Sequence, residues 1–224
     1  MAIGTSSGSR VDPMRPACRT ERRSPAHMPS MESVAVRPAR ASDATDLARN
    51  WIDVARHYAE LDADAFRVPA ADGLVEWSEE LLRRPRSEDA VWLVAEADGR
   101  VAGDVSAHLE QPAEDADRQS LRDLGRVRMY VNALGIAEAY RRRGVGARLM
   151  GAVEEWGRAK GAVRSVLTAY DASPLSVPFY EQGMAMSADR SCSRSDSTSA
   201  CLQCHSSYSR LLRWSPDPGW AADP

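Results

Sequence analysis

Apolar residues follow two rhythms along this 224-residue chain. Helical spacing puts Leu47, Trp51, Val54 and Tyr58 on one face, with Ser42 or Asp43 ahead of them as a cap. It recurs over Leu74, Trp77, Leu81 and Leu82, and again over Val145, Leu149, Val153 and Trp156, where Gly161 stands at a left-handed C-terminal cap. Runs of strand formers occupy 34–36, 91–96, 101–110, 127–136 and 163–168, and Asp98-Gly99 marks a tight turn between the second and third. A last helix is predicted to start near Ser176, which puts Pro178 in its first turn, where no N–H is needed. The order β-α-α-β-β-β-α-β-α predicts a mixed α/β domain. The fourth strand, third helix and fifth strand should form a right-handed crossover.

Composition divides the chain into three zones. Residues 1–32 are rich in Ser, Arg and Pro without periodicity and read as a disordered leader, with Met28 and Met31 as alternative starts. Residues 33–186 form the domain, and 187–224 shift to Ser, Arg and Cys and read as an atypical, disordered tail. Hydrophobic residues at 43% and charged residues at 27% fit a globular protein. A net charge of −3 argues against general nucleic-acid affinity, and no apolar run has the length of a membrane span. No signal-peptide core is visible, so a cytoplasmic location is expected.

The most informative segment runs Arg141-Arg142-Arg143-Gly144-Val145-Gly146-Ala147, between the fourth strand and the third helix. Glycines let the backbone approach a ligand, and the first-turn N–H groups of the helix lack internal partners. Arginine forks match phosphate oxygens. Cations at a helix start oppose its dipole unless an anion offsets them, which itself points to a bound phosphate. No Gly-Lys-Ser/Thr follows, and the third glycine of a dinucleotide fingerprint is absent.

This turn resembles the acetyl-CoA signature of the GNAT N-acetyltransferase superfamily, with Arg141, Gly144 and Gly146 in its fixed places. Leu134-Gly135-Ile136 is similar to the end of that family's fourth strand, and the segment from Ser173 through Ser176 to Phe179-Tyr180-Glu181 is similar to its Asn-x-x-Ala-x-x-Phe-Tyr-Glu stretch. The resemblance implies the GNAT (acyl-CoA N-acyltransferase) fold over the domain. It also implies acetyl-CoA as co-substrate, its pantetheine arm between the splayed fourth and fifth strands. On this reading Leu134, Gly135 and Ile136 face the arm, Arg141, Arg142, Arg143, Gly144, Val145, Gly146 and Ala147 hold the pyrophosphate, and Ser173 and Ser176 take the family's Asn and Ala positions. Tyr180 is implied as the general acid that protonates the departing thiolate.

For a general base, Glu110 and Glu96 at strand positions are candidates, with solvated carboxylates as the alternative. His57, Tyr58, Glu60 and Asp62 cluster after the first helix, and Tyr130 and Asn132 stand on the fourth strand, where an acceptor pocket is expected. The resulting expectation is transfer of acetyl from acetyl-CoA to a primary amine of a small molecule by direct attack in a ternary complex. The alternatives are a catalytically impaired acyl-CoA-binding module and a protein or peptide N-acetyltransferase. A homodimer is left open; no nucleic acid or membrane partner is expected.

The tail departs from the family. After Glu181-Gln182-Gly183-Met184 no alternating apolar pattern follows, so the closing strands are expected to be missing or replaced and the fifth-strand edge uncovered. Cys201-Leu202-Gln203-Cys204-His205, with Cys192, fits a haem-attachment or zinc pattern. The surrounding Ser-rich sequence favours incidental cysteines, and no metal is expected.

Overall fold

Asp98 and Gly99 both adopt positive φ, 52° and 71°, the geometry that folds two strands directly back on each other. They join β2 (Ala90–Ala97) to β3 (Arg100–Glu110). Around this hairpin the sheet grows in the order β1-β2-β3-β4-β5-β7-β6, with β1 at Ala35–Pro38, β4 at Arg128–Ile136, β5 at Arg164–Tyr170, β6 at Ser187–Ala188 and β7 at Ser209–Trp214. The computed structural model describes residues 34–120, 122–184, 186–188 and 209–214. The leader 1–32 and the residues Cys192, Cys201, Cys204 and His205 lie outside them. Among the described residues no helix is long and apolar enough to cross a membrane, and no group of three His, Cys, Asp or Glu side chains is placed to hold a metal.

Helices cover both faces. On one side α3 (Val145–Ala159) buries Val145, Leu149 and Val153 against Val105, Ala107, Leu109, Met129 and Val131. A Cβ at Gly157 would stand 2.6 Å from the Met129 sulfur, so glycine here lets α3 lie close on β4. Gly161, with φ 87°, ends the helix as its spacing predicts. On the other side α1 (Ala44–Leu61) and α2 (Leu74–Arg83) bury Ala44, Leu47 and Leu82 against Val94 and Val101. Trp51 and Trp77, expected on inner faces, are instead about half-exposed at 48% and 51%. The α1 stripe turns inward through Leu47 and Asn50, the latter fully buried.

Asp43 precedes α1 as expected, but its carboxylate does not cap the helix. It takes two donors from the Arg37 guanidinium, at 2.8 and 2.9 Å, and the Arg40 N–H at 2.8 Å, while Arg37 Nε also donates to Glu96. A paired guanidinium outcompetes a cap for a carboxylate this enclosed.

The expectation that the closing strands are missing or replaced, and that 187–224 is a disordered tail, is corrected at two places. β7 pairs antiparallel with β5 from Ser165↔Trp214 to Tyr170↔Ser209, and β6 adds to β7. Leu212 is fully buried in the main core. A six-residue strand whose alternation is masked by arginines gives little pattern in the sequence; the open ladder of β5 organises it.

Candidate active site

β4 and β5 run parallel, and their pairing stops at Val131↔Leu167. Just beyond, β4 carries a bulge: Ser106 pairs with Ala133 and Ala107 with Val131, leaving Asn132 without a cross-strand partner. From there to Ile136, β4 has no partner on its β5 side, and the strands part. A cleft of about 590 Å³ opens at this fork. Its walls come from α1 through Val54, His57 and Tyr58, from β4 through Leu134 and Ile136, from the turn into α3, and from α4 (Ser176–Pro178) with the wider helical turn Phe179–Gly183 that continues it.

The turn into α3 presents unpaired backbone donors. Gly144 takes φ 74° and leaves the first turn of α3 without a side-chain cap, so the leading N–H groups point toward the cleft mouth unpaired by their own helix. Gly146 lies against Phe179, where a Cβ would come within 3.2 Å of the ring. The three arginines divide their labour. Arg141 folds back, donating from Nε to the Ile136 carbonyl at 3.1 Å and from Nη2 to the Asp53 carbonyl at 3.3 Å, which ties the end of β4 to α1. Arg143 lies over the Tyr140 ring at 5.8 Å. Arg142, held at φ 60°, lines the cleft.

The structure thus brings together Leu134, Ile136, Arg141, Arg142, Gly144, Gly146, Ala147, Ser176 and Tyr180 from the expected set. It turns others away. Gly135 does not line the cleft; a Cβ there would meet Asp104 of β3 and Val54 of α1. Val145 is buried in the core beneath the turn. Ser173 is buried as well, and supports the cleft indirectly: its oxygen accepts the Ser176 N–H at 3.1 Å and its hydroxyl donates to Ser176 Oγ at 3.1 Å.

Tyr180 lines the cleft and is 8% exposed, and its hydroxyl makes no hydrogen bond among the described residues. Burial pushes its phenol above the ordinary tyrosine value, and neighbouring Tyr58 adds to the rise, so the hydroxyl keeps its proton. Tyr58 itself reaches from α1 to α4, its hydroxyl 3.0 Å from Ser176 Oγ.

The candidate bases fare differently. Glu110 is not brought to the cleft: it pairs with Arg128 at 3.0 Å, at the end of β4 opposite Ile136. The expected base role is therefore corrected, because a carboxylate held by its cross-strand arginine stands away from the fork. Glu96 is held by Arg37. Asp62 accepts from the Ala65 N–H, from the Tyr170 hydroxyl at 2.9 Å and from the Asp64 N–H, which together hold its carboxyl below the usual range. His57 and Tyr58 lie within α1 and line the cleft, with His57 Nε2 buried and unpaired among the described residues. Sequence reasoning missed Val54, Tyr140, Leu175 and Phe179 as walls, since nothing local marks which helix face meets a cleft. One further polar cluster escaped it: His108 on β3, whose ring meets Tyr130 and the side chain of Asn132.

A mixed sheet thus forks beside a glycine-led helix start, with a buried tyrosine in the gap. The sequence profile of the GNAT acetyltransferase family matches residues 50–186, and the chain belongs to that family. No curated protein matches the chain. Solved structures of similar fold include the acetyltransferase from Thermus thermophilus, at 17% identity over 82% of this chain and 97% of that one, TM-score 0.52. Another is the PaiA N-acetyltransferase from Thermoplasma acidophilum in complex with coenzyme A, at 15% identity over 82% and 99%, TM-score 0.53. A third is Arabidopsis thaliana NAA60 in complex with acetyl-CoA, at 17% identity over 82% and 98%, TM-score 0.50.

Proposed function

We propose that this protein is an N-acetyltransferase that moves an acetyl group from acetyl-CoA to a primary amine of a small molecule by direct attack in a ternary complex. The observation that carries the reading is the joining of three parts in one cleft: the uncapped start of α3 at Gly144, the stretch of β4 through Leu134 and Ile136 that is open on its β5 side, and Tyr180. The pyrophosphate would sit on the N–H groups of Val145, Gly146 and Ala147 with Arg142 beside it. The pantetheine arm would lie along β4 in the fork. Coenzyme A and acetyl-CoA complexes of proteins with this fold support that choice of ligand.

At the thioester, charge develops on the carbonyl oxygen as nitrogen adds. An N–H of the unpaired β4 segment offers that oxygen a fixed donor, the kind of interaction worth about 3 kcal/mol of barrier in a dry site. Tyr180 then supplies a proton to the leaving sulfur. The remainder of the rate comes from holding amine and carbonyl together.

Thiol release from acetyl-CoA, measured across a panel of primary amines and short peptides, tests the reading. Release that depends on a small amine supports it. Release only with peptides would replace small molecules by a peptide acceptor, and cofactor binding without release on any acceptor would reduce the protein to a binding module.

A further inference from the structure

Along β3 the alternation of the strand separates two chemistries. Val105, Ala107 and Leu109 are buried under α3, whereas Asp104, Ser106, His108 and Glu110 face the opposite side and are only partly covered. His108 stands on that open face just before β4 and β5 part, opposite Tyr130, which is still paired with Val166. Its Nδ1 is 2.9 Å from Oδ1 of Asn132, the residue that the bulge frees from pairing. Its ring lies 5.6 Å from that of Tyr130, whose hydroxyl is 2.8 Å from Thr168 Oγ1 on β5. A polar chain from three strands therefore lies at the base of the fork, on the face away from α3.

We propose that His108 is the general base that deprotonates the acceptor amine, oriented by Asn132. This rests on the acetyl-transfer reading and deepens it. The amide oxygen of Asn132 accepts, so Nδ1 carries the hydrogen and the lone pair of the neutral imidazole falls on Nε2, which makes no hydrogen bond among the described residues. A bulge is what makes this possible, since it turns the Asn132 side chain toward its neighbour rather than into a ladder position. With the pyrophosphate at the start of α3, as proposed above, the acceptor would approach from this face. An ammonium substrate gives one proton to Nε2. The freed lone pair forms the C–N bond as the C–S bond breaks, the thiolate takes the Tyr180 proton, and the second proton shed by nitrogen restores Tyr180. The proton on His108 leaves to solvent.

Other titratable groups face the same region. Glu110 and its partner Arg128 lie one step along the sheet, Asp104 lies two positions beyond Ser106, and Tyr130 lies alongside; Ala90 on β2 and Thr168 on β5 bring no charge. The test must separate them. Steady-state thiol release by wild type, His108→Gln, Asn132→Ala and Glu110→Gln is followed from pH 5.5 to 9 with acetyl-CoA and the amine that gives the highest rate, beside acetyl-CoA affinity and ¹⁵N spectra of the imidazoles.

In His108→Gln, kcat/KM at pH 7 should fall about 100-fold with acetyl-CoA affinity kept, and the rate should climb with pH without the wild-type plateau. Asn132→Ala should fall about tenfold and show a mixed imidazole tautomer. A His108→Gln rate within threefold of wild type overturns the assignment alone, as does a plateau lost in Glu110→Gln but kept in His108→Gln. A wild-type spectrum in which neutral His108 carries its hydrogen on Nε2 also overturns it, without reference to turnover. Wild type that binds acetyl-CoA but acetylates no amine overturns the acetyl-transfer reading and this assignment with it.

Discussion

The hydroxyl of Tyr58 on α1 lies 3.0 Å from Ser176 Oγ on α4, so a single hydrogen bond spans the two walls of the cleft. Tyr58 also packs edge-on against Tyr170 and beside Phe66, which makes it the hinge post between α1, β5 and the segment after α1. Tyr58→Phe keeps that ring packing and deletes the bond. It should cost about 1 kcal/mol, a drop of roughly 2–4 °C in melting temperature. Differential scanning calorimetry checks this, and an unchanged melting temperature would show that the walls are held by packing alone.

Gly144 and Arg142 both take left-handed backbone conformations in the turn into α3, and only one of them is glycine. Replacing Gly144 by Val forces a β-branched residue to φ 74°, at a cost of about 1–2 kcal/mol, and misplaces the helix-start N–H groups. Acetyl-CoA affinity by calorimetric titration should fall at least about tenfold.

Arg142→Gly separates two effects that Gly144 combines. Glycine relieves the strain at φ 60° and should raise stability by about 0.5–1 kcal/mol. The same change removes a cation from the cleft and should weaken acetyl-CoA binding, with a smaller dependence on salt. Stability and affinity moving in the same direction would contradict this division.

Two aspartates give opposite pH dependence. Asp43 is held below the usual carboxylate range, first by its hydrogen bonds from Arg37. Its contribution is present above the unfolded value near 4 and is lost as pH falls through the lower folded value. Asp104 is pushed up to about 6 by burial, with the Trp92 indole N–H donating at 3.0 Å as a partial offset. Between the unfolded value and 6 the native state binds more protons, so stability falls as pH rises through that window and stays reduced above it. Asp104→Asn keeps an acceptor for Trp92 and should therefore stabilise by about 1–3 kcal/mol at pH 8 while changing little at pH 4. Urea unfolding at the two pH values reads the difference.

Tyr180→Phe should lower kcat about 100-fold and leave acetyl-CoA affinity within about twofold, because the ring still fills its place. Since the phenol lies above its ordinary value, the wild-type rate should show no alkaline loss from this group below about pH 10. Stopped assays from pH 7 to 10 check both statements.

Leu212→Ala removes a fully buried side chain of β7 and should cost about 2–5 kcal/mol. Truncation before Ser209 leaves the β5 edge unpaired and should yield aggregating protein by light scattering.

Much of this was legible in the order of residues. The helix periodicities, the Asp98-Gly99 turn, the Gly161 cap and the arginine-glycine start of α3 are local: each depends on neighbours a few positions away, and backbone sterics and dipoles act at that range. The same locality explains the misreadings. Trp51 satisfies the helical spacing of Leu47 and Val54 yet faces outward, because the inner stripe is chosen by where the sheet lies.

Tertiary structure decided what long-range pairing controls. β7 carries little pattern of its own and forms because β5 offers an open ladder. Glu110 looked free as a strand-end carboxylate until register set Arg128 opposite it. His108 gave no motif at all; a bulge on the neighbouring strand brought Asn132 to its ring. The sequence by itself determined the elements and the arginine-glycine turn into α3, since those follow from backbone geometry over a few residues. The fork, the cleft walls and the His108–Asn132 pair required strands far apart in the chain to settle into one register, and only the burial of the whole core selects that register.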